Sequence, residues 1–423
     1  MTSAPYSSAL AEALAPDVLD RLLRYVRIDT RSDRAHAQSP STPGQLELGR
    51  LLVEELVGLG LADAAIDANG FVTATLEGNT PGAPVIGLLA HLDTSPDESG
   101  AGVEPLVHRG YDGGTIALPR NGTVLDPARM PELAAKTGHD LVSTSGDTLL
   151  GADDKAGMAE VMAAVAHLAA HPQLPRPTLR VAFTPDEEIG EGAKLFDIER
   201  FGAACAYTFD GSEAGEFTDE TFTAASADLT IHGVEVHPGF ATGKLVNAAR
   251  LAGRVLAALP QDRLTPETTA ERDGFIHVYA VEATAGKATI STIVRDFDDD
   301  RLAEHVALLG RIADEVVATE PRARLELDVK AQYPNMRRFL DDHPGVSDAA
   351  EEALRREGFE PRRVPIRGGT DGSILSARGL PTPNLFTGGH EYHSVREWAS
   401  VQDMASAAAV AVRLAGVWAE RAA

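Results

Sequence analysis

A mixed α/β fold, with helices on both faces of a largely parallel sheet and a smaller α+β domain inserted into it, is predicted by three observations. Short, wholly apolar runs recur along the chain, as strands buried on both faces require. Three of them run straight into acidic or histidine residues at the C-terminal end, the edge where open parallel sheets hold their ligands. Between two groups of such runs the pattern changes to alternating strands and amphipathic helices in the order β-α-β-β-α-β, a ferredoxin-like arrangement.

Residues 17–26 carry apolar positions at helical spacing. A second helix is predicted over 43–59, with Pro43 at its first position and Thr42 and Gln45 set as a capping box. Asn69-Gly70 between two alternating runs marks a hairpin. Residues 84–90 form a buried strand that ends at His91-Leu92-Asp93-Thr94. The stretch 95–146, rich in Gly, Pro and Asp, is expected to be mostly loop with short strands, a wall or lid beside a site. Asp153-Asp154 then lies on a glycine-flanked turn before an apolar helix over 156–167. Strands over 178–183 and 203–209 end at Asp186-Glu187-Glu188 and at Asp210-Gly211.

In the middle of the chain, strands are predicted over 222–232, 275–281, 288–294 and 325–329, with helices over 247–259 and 301–318. Further strands are expected over 362–366 and 382–386, the first before Arg367-Gly368-Gly369-Thr370-Asp371-Gly372 and the second before Gly388-Gly389-His390-Glu391-Tyr392-His393. The predicted organisation is a catalytic domain in two parts, 1–217 and 331–423, with an inserted domain at 218–330.

Composition narrows the partners. The 423 residues contain 38 basic and 63 acidic side chains, a net charge of −25 that repels nucleic acid and anionic membrane. Cys205 is the only cysteine, so no intrachain disulfide forms, a reducing compartment is favoured, and any metal must be held by His, Asp and Glu. No basic N-terminal segment with an apolar core and no bilayer-length apolar run is present, and the cytoplasm is the expected location.

Taken singly, Asp153-Asp154 suits a helix N-terminus, and His91-x-Asp93 or Glu187-Glu188 suits a solvated loop. Their recurrence at successive strand ends points to a metal site. Two histidines and three carboxylates suit a pair of Zn²⁺ or similar ions. Asp153 bridges, one oxygen toward each ion; His91 and Asp210 complete one set, and Glu188 and His393 the other, although chemistry alone leaves His390 open in place of His393. Asp93 is placed to accept a hydrogen bond from the second imidazole nitrogen of His91, and Glu187 to deprotonate a water between the ions and pass the proton to a leaving amine.

Together, His91-Leu92-Asp93-Thr94, Gly151 to Gly157, Thr184-Pro185-Asp186-Glu187-Glu188, Phe209-Asp210-Gly211, Val236-His237-Pro238-Gly239 and Gly388 to His393 closely resemble the peptidase T family of dinuclear zinc metallopeptidases. Acetylornithine deacetylase and bacterial glutamate carboxypeptidase belong to the wider group. Tyr111-Asp112-Gly113-Gly114-Thr115-Ile116-Ala117-Leu118 and Val294-Arg295-Asp296-Phe297 carry the resemblance to peptidase T in particular, and it spans residues 17–401. It implies the zinc peptidase fold with an inserted lid and dimerisation domain, and release of the N-terminal residue from tripeptides by a metal-bridged hydroxide with Glu187 as general base. It implies two Zn²⁺ ions per subunit, with Co²⁺ or Mn²⁺ as substitutes, held by His91, Asp153, Glu188, Asp210 and His393, the last preferred because it follows an aromatic residue, Tyr392.

The same resemblance makes Asp93 and Glu187 catalytic, and has His237 reach the partner subunit's active site to stabilise the oxyanion. By the same resemblance Arg295 and Arg367 contact the substrate carboxylate or carbonyl. The partners expected are a small peptide and a second copy of the chain. A related dinuclear zinc dipeptidase, carboxypeptidase or N-acyl amino acid amidohydrolase is the alternative within this chemistry. A non-catalytic peptide-binding protein on the same fold is the alternative outside it, and the full ligand set with Glu187 speaks against it. A nicotinamide enzyme is disfavoured because no Gly-x-Gly-x-x-Gly follows an early strand.

Overall fold

The computed structural model describes residues 5–36 and 38–422. The chain divides into two compact units, Met1–Asp219 with Arg338–Val364 and Thr370–Ala423, and Glu220–Arg337 with Pro365–Gly369. The second unit is thus not the continuous stretch 218–330. Its last strand runs on to Tyr333, and residues 365–369 join it because the Phe222 N–H donates to Ile366 O and the Ile366 N–H to Glu220 O.

The first unit contains, in chain order, α1 (Ala9–Tyr25), α2 (Pro43–Gly58), β1 (Val72–Leu76), β2 (Ile86–His91), α3 (Ala152–Ala170), β3 (Leu179–Thr184), β4 (Cys205–Gly211), β5 (Asn384–Phe386), β6 (Trp398–Ser400) and α4 (Val401–Ala422). The middle of its eight-stranded sheet runs β1-β3-β2-β4-β5. Strands β3, β2, β4 and β5 are parallel, and β1 is antiparallel to β3. Because β2 has a strand on each side and residues packed on both faces, all six of its positions are buried. Leu89, Ala182 and Ala206 cluster with Phe71, Phe196, Phe201, Leu375 and Leu380. Helix α3 packs on β2 and β4, and α1 and α4 pack on α3.

Three elements differ from expectation: the start of α1, the cap of α2 and the strand over 362–366. Helix α1 begins at Ala9 because Ser8 caps it, accepting from the Ala11 N–H at 3.1 Å, and Pro16 is accommodated inside. No capping box forms at α2: Thr42 makes no cap hydrogen bond, and Gln45 turns its amide to Asp186 at 2.8 Å. The stretch 95–146 is, as expected, mostly loop with short strands. Its strands Leu106–His108 and Leu141–Ser143 join β6 and Gly389–His390 in an antiparallel sheet, and Tyr111, Leu118, Leu125, Met130 and Leu133 bury against Trp398. The strand expected over 362–366 is only Arg362–Arg363.

The second unit is a four-stranded antiparallel sheet in the order Phe275–Ala283, Lys287–Asp296, Thr223–His232, Arg324–Tyr333. Helices Ala248–Ala258 and Asp299–Val317 contribute Leu251, Val255, Leu309 and Ala313 to the same core as Leu229, Ile231 and Ile290. The alternating burial of the strand Thr223–His232 reflects one face on that core. This is the ferredoxin-like order.

Candidate metal centre

Parallel neighbours bring chemically active strand ends to one edge of the sheet. The register sets His91, the last residue of β2, opposite Thr184, the last of β3, so the Glu187-Glu188 turn begins beside His91. Asp210 closes β4 on the other side. Asp153 arrives from the start of α3, which is not a regular first turn. Gly151 has φ of 80°, Asp153 and Asp154 are non-helical, and the peptide between them is cis. The acidic pair therefore does not simply cap the helix.

Asp153 points its two oxygens at different histidines. Its Oδ1 is 2.9 Å from His91 Nε2, and its Oδ2 is 3.4 Å from His393 Nε2. Asp210 Oδ1 lies 3.6 Å from the same nitrogen of His91. On the other side Glu188 Oε2 is 2.9 Å from His393 Nε2, while Glu188 Oε1 is buried without a hydrogen-bond partner among the described residues. His91 Nδ1 donates to the Asp93 carbonyl at 3.0 Å, so Nε2 is the nitrogen turned to the carboxylates, donating to Asp153 here and available to an ion once deprotonated. Residues His91, Asp153 and Glu188, and likewise His91, Asp154 and Asp210, can each offer ligand atoms to one ion. Asp154 is otherwise engaged, because its oxygens accept from the N–H groups of His91 (3.0 Å) and Gly157 (3.1 Å). The set drawn together is thus His91, Asp153, Glu188, Asp210 and His393. Nitrogen and oxygen donors, an orphaned buried oxygen and a two-faced carboxylate fit a pair of divalent cations.

The electrostatics are those of an uncompensated cluster. Burial, with the Asp153 charge, pushes Glu188 up to about 8, and burial pushes Asp210 up to about 6. Burial also raises Glu187 well above the usual carboxylate range. It opposes charge on His393, but Asp153 and Glu188 prevail and carry that ring up to about 11. Asp153 is held below its ordinary value, since His393 and His91 outweigh its burial.

Asp93 differs in part from expectation. Its carboxylate is 3.4 Å from His91 Nδ1, whose nearer partner is the Asp93 carbonyl, and it serves chiefly to accept the N–H groups of Glu187 (2.9 Å) and Glu188 (3.1 Å). His390 stands apart from the cluster, stacked on Trp398 at 4.2 Å. In the second unit His237 is exposed, with Nδ1 accepting from the Gly239 N–H at 3.1 Å. Arg295 donates to the Ala225 and Val294 carbonyls. Arg367 donates to Thr269 and the Asp273 carbonyl, its guanidinium between Phe222 and Phe275.

Sequence reasoning missed several supporting residues. Asp371, at the start of the helix Asp371–Ala377, accepts from Thr184 Oγ1 at 2.5 Å and is pushed up to about 7 by burial. Asp186, with φ of 58°, accepts from Ser39, Ser41 and Gln45 and pins the turn before Glu187. Glu397 accepts backbone N–H groups of the Asp153 turn. The only sequence signal for Glu397 is an acidic residue shortly after His393.

Comparison with known proteins places the chain among peptidases. Peptidase family M20/M25/M40 matches residues 150–416. Peptidase T of Shouchella clausii (strain KSM-K16) is 47% identical over 407 residues, 96% of this chain and 99% of that protein. Peptidase T of Bacillus subtilis (strain 168) is 45% identical over 401 residues, 94% of this chain and 98% of its own. At that identity the similarity favours a peptidase over an N-acyl amino acid amidohydrolase or a non-catalytic binder. The fold is that of the aminopeptidase PepT from Bacillus cereus ATCC 10987, at a TM-score of 0.74 and 22% identity over 96% of this chain and 99% of that one. A tripeptidase from Staphylococcus aureus superposes at 0.75 with 20% identity over the same shares.

Proposed function

This chain belongs to peptidase family M20/M25/M40 and, within it, to the peptidase T group, and from that premise we propose that it releases the N-terminal residue of tripeptides using two zinc ions. The observation that carries the reading is Asp153, whose two oxygens face different histidines beside a further carboxylate, Glu187. His91 and Asp210 would hold one ion, Glu188 and His393 the other, and Asp153 both; Co²⁺ and Mn²⁺ suit the same donors. Bound there, the ions would polarise the scissile carbonyl and lower the pKa of the attacking water.

Glu187 takes the proton of that water and delivers it to the amine nitrogen as the carbon–nitrogen bond breaks. Its burial supports the assignment, since a raised carboxyl pKa suits a proton carrier near neutrality. Asp93 holds Glu187 and Glu188 by their backbone N–H groups. His237 acts as an oxyanion donor toward a partner subunit. Arg295 and Arg367 contact the substrate carboxylate or carbonyl, a role supported by guanidinium groups that, among the described residues, pair with carbonyls and a hydroxyl rather than carboxylates. The second unit serves as lid and dimer contact, and the edge strands of its sheet expose Tyr279 and Val281, and Leu327 and Val329. The cytoplasm is the proposed location, in keeping with a single free cysteine. Among the described residues no helix is long and apolar enough to cross a membrane.

Mass spectrometry of the products from one unsymmetrical tripeptide and its N-acetylated form, each with zinc-loaded protein, tests the activity. Release of the first residue from the free peptide alone is expected. Release of the last residue, or loss of the acetyl group, would overturn the aminopeptidase reading.

A further inference from the structure

The segments that carry the candidate ligands are braced to one another by carboxylates that are not themselves ligands. Asp154, next to Asp153, holds the His91 N–H. Asp93, two residues after His91, holds the Glu187 and Glu188 N–H groups. The third brace starts from the His393 loop. Glu397 Oε2 accepts from Leu150 and Gly151, each at 2.7 Å, and Oε1 accepts from Asp153 at 3.0 Å. Glu397 is 1% exposed, and Gly151, at the N-terminal end of α3, has no side chain of its own with which to cap the helix.

A carboxylate from a remote segment thus performs the task of a helix cap on a turn whose backbone is not helical. Leu150 and Gly151 are buried, so the N–H groups held by Glu397 have little access to water. Three converging donors fix both the position and the tilt of the turn, and with them the direction of the Asp153 side chain. We propose that Glu397 is the positioning residue that makes Asp153 a bridge, holding its turn so that one carboxylate oxygen faces His91 and the other faces His393. The bracing runs in one direction, from the His393 loop to the Asp153 turn, from there to the end of β2, and from there to the Glu187-Glu188 turn.

This inference rests on the two-ion reading of the site, and its test separates the two. Glu397→Gln keeps the shape but replaces one acceptor oxygen with an NH₂ group that opposes the N–H groups it meets. Hydrogen exchange of the full metal-free chain should show faster exchange at Leu150, Gly151 and Asp153 in E397Q. Zinc titration by calorimetry should show affinity lower by roughly 10–100-fold. For a tripeptide, kcat should fall while KM changes by less than about twofold, as expected when an interaction aligning the reacting groups is lost. Glu160→Gln, which alters a buried carboxylate on the same helix with no hydrogen-bond partner among the described residues, should leave exchange at the three amides and zinc affinity unchanged. Unchanged exchange and zinc affinity in E397Q would overturn the proposal, as would a loss of thermal stability alone. If E397Q does not fold, the same readouts on Glu397→Asp, one methylene shorter, decide it by the same criteria. Failure of the unsubstituted chain to take up two zinc ions would refute the two-ion reading while the exchange result still judged the brace.

Discussion

Glu187 and Glu188 are neighbours in the chain but not in role. Glu188 Oε2 meets His393, whereas Glu187 is held through its backbone N–H on Asp93, which suits the proposed division into ion ligand and proton carrier. Replacing Glu187 by Gln is expected to lower kcat by roughly 10²–10⁴-fold with zinc content unchanged, measured by steady-state kinetics and metal analysis on one preparation. The two histidines of the C-terminal loop separate in the same way. His393→Gln should lose zinc, while His390→Gln should retain it and lose only about 1 kcal/mol with its stack on Trp398, read from urea unfolding. Equal zinc loss in both would contradict the assignment. The cluster of proposed ligands was legible because strand polarity sorts His91, Glu188 and Asp210 to one edge. Glu397 was not legible, because Gly151 lies 246 residues away and no local pattern records that contact.

At the scale of elements, Gly157 allows α3 to approach the end of β4. A Cβ there would lie 1.9 Å from Phe209 O and 2.4 Å from Asp154 Oδ1, both beside the site. Gly157→Ala should therefore cost at least about 1–3 kcal/mol, measured by the denaturant midpoint, and disturb zinc uptake because Asp154 and Asp210 shift with it. An alanine variant with wild-type stability would show that the helix can yield. The buried parallel strands and the alternating strands of the second unit could be read from the sequence, since each imposes a period on its apolar residues. Helix ends were less legible. Gln45 suited a local capping box, but the buried Asp186 carboxylate claimed its amide. The stretch 95–146 looked like loop because its strands are two or three residues long, too short to show a period.

For the whole molecule, the crowded carboxylates set a pH dependence whose sign changes with metal. Glu188, Asp371 and Asp210 are raised to about 8, 7 and 6, above their unfolded values. The metal-free native state therefore takes up protons between pH 8 and 6.5 that the unfolded chain does not, and its stability rises as pH falls. His393 acts in the same direction, since its stabilisation is complete below its unfolded pKa and is lost as pH rises through about 11. The buried histidines His108, His139 and His390, lowered by burial, oppose this trend as pH falls below their ordinary value of 6.5. With zinc bound, protons compete for the ligands and stability should fall over the same window. Urea midpoints at pH 8 and 6.5, with and without zinc, should shift in opposite directions; parallel shifts would count against a metal at this cluster.

The insertion of the second unit between the two parts of the first also sets the order in which a growing chain acquires its parts. A nascent polypeptide that has emerged as far as Arg337 already carries His91, Asp153, Glu188 and Asp210, but has neither His393 nor Glu397. During synthesis this half of the proposed site, held by Asp154 and Asp93 but without the Glu397 brace and without His393, waits until the last part of the chain leaves the ribosome. On the proposed two-ion reading, capture of both ions is expected to be a late event, and a chain ending anywhere before His393 is expected to take up fewer ions than the full chain, as metal analysis of a truncated product would show.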